Sequence, residues 1–249
     1  MAYPVPEVIR MLKKLLIVGS MSLASLCFSL PAAADVSVFG FTPAGSQQLV
    51  LTTTTGVQIL SATDMGWYTQ AGISESAFTG FKNYDAGFNA GTGRTFNDFF
   101  VFDLSSVTST ITGAALSLYN PSAATDAGDG FESDLTNAAL FSLYDVSTSI
   151  ANLESDQFSA VSTFNDLGSG TQYGTYIFTA ADDGTQVHIN LNSDAITALN
   201  AGAGRGFAFG GTAVATTVAV SAVPEPATMY LLGPAMVGLG WARRRMKRA

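Results

Sequence analysis

The chain is short of the residues that thiol chemistry and most metal sites need. Its 249 residues include a single cysteine, Cys27, and a single histidine, His188. One cysteine forms no disulfide within the chain, and no Cys/His set has the spacing of a zinc site. No P-loop and no dinucleotide fingerprint follows a strand pattern. The sequence therefore offers no thiol nucleophile between residues 35 and 226, no Cys/His zinc set and no recognisable nucleotide-binding motif.

Positive charge is scarce in the middle of the chain. Between residues 35 and 226 only Lys82, Arg94 and Arg205 are basic, against 18 acidic residues, which gives a net charge of −15. A surface this acidic repels phosphate backbones, so the composition excludes nucleic acid as a partner. Solubility is the plain explanation of the charge, and binding of divalent cations is the alternative.

The start of the chain, in contrast, combines basic residues with an apolar run. Two lysines at 13–14 precede the apolar stretch 15–30, and Pro-Ala-Ala-Ala at 31–34 closes it. A positive n-region, an apolar h-region and a small-residue cleavage site predict a secretory signal peptide over 1–34, with Met11 as a second candidate start. The Sec translocon and signal peptidase are the partners that such a peptide implies.

The last 27 residues begin with an extended segment that leads into an apolar one. The extended segment consists of Val223, Pro224, Glu225 and Pro226. Its two prolines favour a polyproline-like backbone. Residues 227–242 carry no charge. As a helix they would measure about 24 Å, slightly less than the ~30 Å hydrocarbon core of a bilayer. The segment is therefore predicted to anchor the chain in the membrane only transiently.

A basic cluster at 243–248 closes the tail. It opens with Arg243, Arg244 and Arg245, and clustered positive charge beside an apolar segment stays on the cytoplasmic side. An extended Val-Pro-Glu-Pro, a short apolar helix and an arginine cluster in this order resemble the PEP-CTERM sorting tail. The resemblance implies a Gram-negative, exopolysaccharide-producing host, processing by an exosortase, and export across the inner membrane to the cell surface or medium. An ordinary C-terminal membrane anchor is the alternative.

The intervening stretch, 35–222, predicts one all-β domain with one short helix. Short alternating runs separated by Gly, Asn, Asp and Pro are typical of a sandwich or barrel. Strands are predicted over 36–41, 47–54, 57–62, 66–70, 97–104, 111–120, 138–146, 173–179, 186–192 and 206–220. The helix is predicted from Asn192 or Ser193 to Asn200, because either residue can cap it, and 148–154 is predicted as one helical turn.

Two of these strands carry a second resemblance. Residues 97–105 end in Phe-Asp-Leu-Ser, and 111–120 contain Ala-x-Leu-x-Leu-Tyr. Together with 142–146 they resemble the central strands of DNRLRE-type β-sandwich domains. The resemblance implies a jelly-roll-like antiparallel sandwich related to carbohydrate-binding modules, and it brings no activity with it.

Two groups of side chains are candidates for ligand binding. Aromatic rings stack on sugar faces, and Trp67 and Tyr84 lie next to or within the predicted loop-rich stretch 71–95, although core packing is the alternative for both. Closely spaced acids around glycine suit calcium. The candidate ligands in the predicted acidic loop 122–136 are Asp126, Asp129, Glu132 and Asp134. A solvated loop without metal is the alternative, and no other cofactor is predicted.

The sequence selects no catalytic residue. His188 is predicted to face solvent beside Asn190 within an alternating strand, and no Gly-x-Ser-x-Gly elbow accompanies it. Two carboxylates suffice for glycoside hydrolysis, so 18 acidic residues single out no pair. We predict a structural or adhesive protein of the exopolysaccharide matrix, or biofilm, that is not an enzyme. A carbohydrate-binding module for the cell's own exopolysaccharide is the first alternative, and a secreted glycoside hydrolase is the second.

Overall fold

The computed structural model describes residues 35–42, 46–74, 82–122, 130–133, 138–155 and 160–217. The elements named below belong to the compact unit Met1–Thr216. The predicted signal peptide, the extended Val-Pro-Glu-Pro segment, the apolar helix 227–242 and the basic cluster lie outside the described residues. Across the described ranges, none of the helices has the length and apolar character that crossing a membrane requires.

The described residues are mostly antiparallel β-strand, which confirms the all-β prediction at this level. The strands in these ranges are β1 (Val36–Thr42), β2 (Gln48–Thr53), β3 (Gly56–Thr69), β4 (Lys82–Asn89), β5 (Arg94–Asp103), β6 (Ile111–Asn120), β7 (Gly130–Ser133), β8 (Ala138–Tyr144), β9 (Gln172–Phe178), β10 (Thr185–Asn190) and β11 (Gly206–Thr216). The helices are α1 (Ile150–Leu153), α2 (Val161–Leu167) and α3 (Ser193–Gly202), with a 3-10 turn at Ala180–Asp182. The prediction of one short helix is wrong, because α2 has no counterpart in it.

The strands follow the order β10-β6-β2-β3-β5-β11-β8-β9, and β1 pairs with β4 and β7. β3 connects the two halves of this order: its first six residues pair with β2, and its residues from Ala62 onward pair with β5. A register shift between Ala62 and Asp64 marks the change of partner, as a β-bulge does where a strand bends. The two strands predicted over 57–62 and 66–70 are therefore one.

The stretch 71–95 is not the loop that its glycines suggested, because it contains β4. This strand pairs with β1 from Lys82 to Phe88 and with β5 from Gly87 to Asn89. Gly87 has φ +121°, and a Cβ there would overlap the carbonyl oxygen of Val36. Gly87 therefore lies where the backbones of β4 and β1 approach closely, and not in a turn. In the same way, the predicted loop 122–136 contains β7.

One large hydrophobic cluster joins the two halves of the sheet. It takes Leu49, Leu116 and Ile189 from the strands on one side of β3, and Phe100, Phe141 and Phe209 from those on the other side. A smaller cluster covers the opposite face of β5, where α1 and α2 pack; its buried members are Tyr68, Phe99, Val101, Leu153 and Leu167. Because both faces of β5 are covered, its residues from Phe96 to Phe102 are all buried.

Helix α3 begins and packs as its sequence predicts. The Asn192 side chain accepts hydrogen bonds from the backbone N–H groups of Asp194 and Ala195, both at 3.0 Å. Leu199 is fully buried and Ile196 packs against the main cluster. A side-chain cap and an apolar stripe therefore suffice to place this helix.

Candidate functional site

A pocket of about 330 Å³ opens where β8, β9 and β11 meet the segment 145–150. Its polar groups belong to Asp145, Thr148, Ser149 and Tyr173, and its apolar wall includes Ile150 and Phe207. This volume falls at the lower end of the ~300–1,000 Å³ that small-molecule sites occupy. The pocket therefore has room for one small polar molecule rather than for a long chain.

Two hydrogen bonds to Thr171 hold Asp145 at the pocket, and they join the chain after β8 to the chain before β9. The Oδ1 of Asp145 accepts the Thr171 N–H at 2.6 Å, and its own N–H donates to the Thr171 carbonyl at 3.0 Å. Gly170 has φ +100°, and a Cβ there would overlap Oδ1, so a glycine is required. Among the described residues Oδ2 accepts no hydrogen bond, and this oxygen is the one available to a ligand.

The segment that carries Thr148 and Ser149 is held by α2. Asp166 accepts the Ser147 hydroxyl at 2.6 Å and the Thr148 N–H at 2.7 Å. Burial opposes ionisation of this carboxyl, but the hydrogen bonds from Ser147 and Thr148 outweigh it and lower the pKa of Asp166 below its ordinary value. Ser149 in turn caps α1 by accepting the Asn152 N–H at 3.3 Å. The polar rim of the pocket is thus fixed in place before any ligand arrives.

Two aromatic residues line the pocket: Tyr173, which is 6% exposed and belongs to the main hydrophobic cluster, and Phe207, which is half-buried. The rings of Tyr173 and Phe207 stack with centroids 6.4 Å apart and an interplanar angle of 29°. Burial raises the pKa of the Tyr173 phenol, and the charges of Asp145 and Asp194 raise it further. The phenol therefore stays protonated at neutral pH and can donate a hydrogen bond. Among the described residues that line the pocket, Asp145 is acidic and none is basic, so the Asp145 carboxylate is the charged group that a ligand would meet there.

The aromatic residues predicted to contact ligand lie elsewhere. Tyr84 is fully buried on β4, where its hydroxyl donates to the Tyr119 carbonyl at 2.9 Å. This burial removes Tyr84 from the candidate ligand contacts. Trp67 is half-buried, its ring meets Phe96 edge-on at 5.0 Å, and it does not line the pocket. The prediction relied on a loop at 71–95, and the strand that replaces the loop turns Tyr84 into the core.

The predicted calcium ligands receive no geometry from the structure. Asp126, Asp129 and Asp134 lie outside the described residues, and of Glu132 only the backbone, within β7, is described. Within the described ranges, no group of three or more His, Cys, Asp or Glu side chains is arranged to hold a metal ion. The calcium site stays a prediction.

Asp98 has a strongly perturbed carboxyl in the core. It is fully buried on β5, opposite Trp67 on β3 and Gly211 on β11. Neither carboxyl oxygen has a hydrogen-bond partner among the described residues. Burial, and then the charge of Asp85, raise the pKa of Asp98 well above its ordinary value. A perturbed acid in a cleft would indicate catalysis, but Asp98 meets no solvent and does not line the pocket.

His188 occupies the position predicted for it. It is exposed on β10, between the buried Val187 and Ile189, and lies opposite Ser117 in register. An exposed strand residue of this kind needs no functional explanation.

A comparison with known families finds a protein-sorting motif in the tail of the chain. Residues 222–245 match the PEP-CTERM protein-sorting motif. The match covers about a tenth of the chain and includes the Val-Pro-Glu-Pro segment and Arg243–Arg245, so the predicted sorting tail is confirmed. The motif implies an exported chain that an exosortase sorts and processes. No curated protein shows a significant match to this chain, and the DNRLRE resemblance stays a prediction.

The residues of the pocket were missed from the sequence. The sequence predicts Asp145 as part of a strand over 138–146. It predicts Tyr173 as the first residue of a strand over 173–179. The available signal was the run Gly168-Ser-Gly-Thr-Gln-Tyr-Gly, in which glycines flank the Tyr173 ring. Pairing of this run with Asp145 depends on register between β8 and β9, which no local pattern specifies.

Proposed function

We propose that the chain is an exported surface protein that acts in the exopolysaccharide matrix, or biofilm, in a structural or adhesive role. In this proposal Sec and signal peptidase remove 1–34, and an exosortase then cuts the tail. The sorting motif at 222–245 is the observation that carries the proposal. An acidic, thiol-free sequence over 35–222 and an antiparallel fold support it, because neither needs a cytoplasmic cofactor or a reducing compartment.

We further propose that the exported part folds as a jelly-roll-like sandwich. Support comes from the main hydrophobic cluster, which takes inward-facing side chains from strands on both sides of β3. Alternation of buried and exposed residues on β10 gives the same indication, since each sheet of a sandwich turns one face to the core.

The sorting step is tested by changing Pro224, Glu225 and Pro226 together to alanine. Loss of the two prolines removes the extended backbone that a protease groove can grip. We expect export to continue, and the protein to stay in the membrane fraction at full length. Ser221→Ala, just outside the matched residues, is the control and should be processed as the unaltered chain is. Normal processing of the triple variant would show that the exosortase assignment is wrong.

The pocket favours a carbohydrate-binding module as the second candidate function. Stacked rings, a carboxylate and two hydroxyl side chains are the groups that bind a sugar residue. A glycan array probed with purified full-length protein separates this candidate from a purely structural role. Binding to no glycan would leave the structural role alone.

We propose no reaction for this protein. Asp98 is out of reach of substrate, and Asp145 lines the pocket as an isolated carboxylate among the described residues. A glycoside hydrolase needs two carboxylates on either side of the scissile bond. Turnover of exopolysaccharide by the purified protein, abolished in Asp145→Asn, would replace this proposal with a hydrolase.

A further inference from the structure

The charge of the pocket selects among ligands. Asp145 contributes a carboxylate whose Oδ2 has no hydrogen-bond partner among the described residues, and Asp194 adds negative charge close enough to affect Tyr173. No described lining residue is basic. An anionic ligand would therefore meet repulsion, whereas a cation would form a charge-assisted hydrogen bond to Asp145.

The shape and polarity of the pocket narrow the choice further. An ammonium group has three donors and no acceptor, and the pocket offers acceptor oxygens on Asp145, Thr148 and Tyr173. Aromatic faces attract cations and also stack on sugar rings. The half-buried Phe207 ring can serve in both ways, and the buried Tyr173 ring stacks on it. A ligand that carries a protonated amine on a hydroxyl-bearing ring uses every polar group of the site.

We propose that this pocket binds an amino sugar, with its protonated amine at Asp145 Oδ2 and its ring beside Tyr173 and Phe207. The inference rests on the proposed location of the protein in a polysaccharide matrix, and it names the class of sugar. Uronic acids and other anionic sugars are excluded by the same charge. Neutral sugars bind more weakly, because they cannot form the charged hydrogen bond.

The decisive experiment compares ligands that differ in one group. Purified full-length protein is titrated by calorimetry with glucosamine, N-acetylglucosamine and glucose. N-acetylation keeps the ring but removes the positive charge. We expect glucosamine to bind at least about tenfold more tightly than the other two sugars, since charge-assisted hydrogen bonds are roughly twice as strong as neutral ones. Its affinity should also fall as salt is added.

Two matched variants assign the effect to the pocket. Asp145→Asn keeps an acceptor for the Thr171 N–H and removes the charge, so affinity for glucosamine should fall by about tenfold while that for glucose changes little. Asp194→Asn removes an exposed charge that does not line the pocket. The second variant should lose less than about threefold, since exposed charges are screened. Equal unfolding temperatures establish that both variants are folded.

Four outcomes would overturn the inference. Equal affinity for the three sugars would make the pocket a neutral-sugar site, and absence of glucosamine binding would remove the ligand altogether. Propylamine binding as tightly as glucosamine would show that the sugar ring contributes nothing. Amide shifts on titration that fall outside residues 145–150, 171–174 and 206–208 would place the site elsewhere. None of these results bears on exosortase processing, which the alanine triple variant tests separately.

Discussion

Two regions of this domain shift the pKa of an aspartate in opposite directions. At the core, Asp98 lies where β5 changes its neighbour from β4 to β11, and neither of its oxygens accepts a hydrogen bond from the described residues. Beside the pocket, Asp166 on α2 accepts hydrogen bonds from the backbone N–H groups of Ser147 and Thr148. Burial therefore favours the neutral acid at Asp98, and hydrogen bonds favour the carboxylate at Asp166. Hydrogen-bond donors and access to water, rather than residue type, decide which of the two acids carries charge.

The largest effect is expected where the core makes room for Asp98. A Cβ at Gly211 would overlap Asp98 Oδ1 and lie 2.6 Å from the Phe141 ring. Gly211→Val should therefore lower the free energy of unfolding by about 3 kcal/mol, measured by urea denaturation. Gly113→Ala is the control, because its nearest neighbour is 3.6 Å away and the change should stay within about 0.5 kcal/mol. Equal stability of the two variants would contradict the buried position of Asp98.

A smaller effect with the opposite sign is expected from Asp98 itself. Its folded-state pKa lies above the ordinary value of 3.8, so the stability that it contributes is complete below that value and is lost as pH rises through the folded-state pKa. Asp98→Asn stays neutral at every pH. We expect the variant to raise Tm by about 2–4 °C at about pH 8, with no gain near pH 4. A gain that did not depend on pH would refute ionisation as its cause.

The smallest effect, with the reverse pH dependence, is expected at Asp166, beside the pocket. The pKa of Asp166 is lowered, so its contribution to stability is present above the ordinary value and is lost as pH falls through the folded-state pKa. Asp166→Asn should lower Tm by about 1–2 °C at neutral pH, and the loss should shrink in acid. If both variants showed the same pH trend, the contrast between Asp98 and Asp166 would be wrong.

Short apolar runs between turn residues were predictable as strands whether one or both of their faces are buried. β5, β6, β9, β10 and the capped helix α3 lie within a few residues of their predicted bounds. β4 was missed although Tyr84, Ala86 and Phe88 alternate in it, because the surrounding glycines outweighed that signal. The sequence predicts two strands where the structure has the single strand β3. The bulge between Ala62 and Asp64 marks a change of partner strand, which only the tertiary structure specifies.

The tail could be recognised from the sequence, whereas the pocket could not. The sorting motif consists of consecutive residues, so its resemblance to the PEP-CTERM tail was visible in the sequence, and the match at 222–245 confirms it. Asp145, Tyr173 and Phe207 are far apart in the chain and meet only through the pairing of β8, β9 and β11. A site assembled by strand register has no local pattern. The choice of Tyr84 rested on a loop where the structure has β4, which buries the ring, and a ligand role for Trp67 stays a prediction.

The central claim is that the chain is cut at its Pro-Glu-Pro segment after export. Intact-mass spectrometry of the protein recovered from the cell surface or medium tests it most directly. We predict a mature chain that begins near Asp35, ends close to Pro226, and lacks the apolar and basic residues 227–249. Recovery of the surface protein with Ala249 still at its C-terminus would contradict the account.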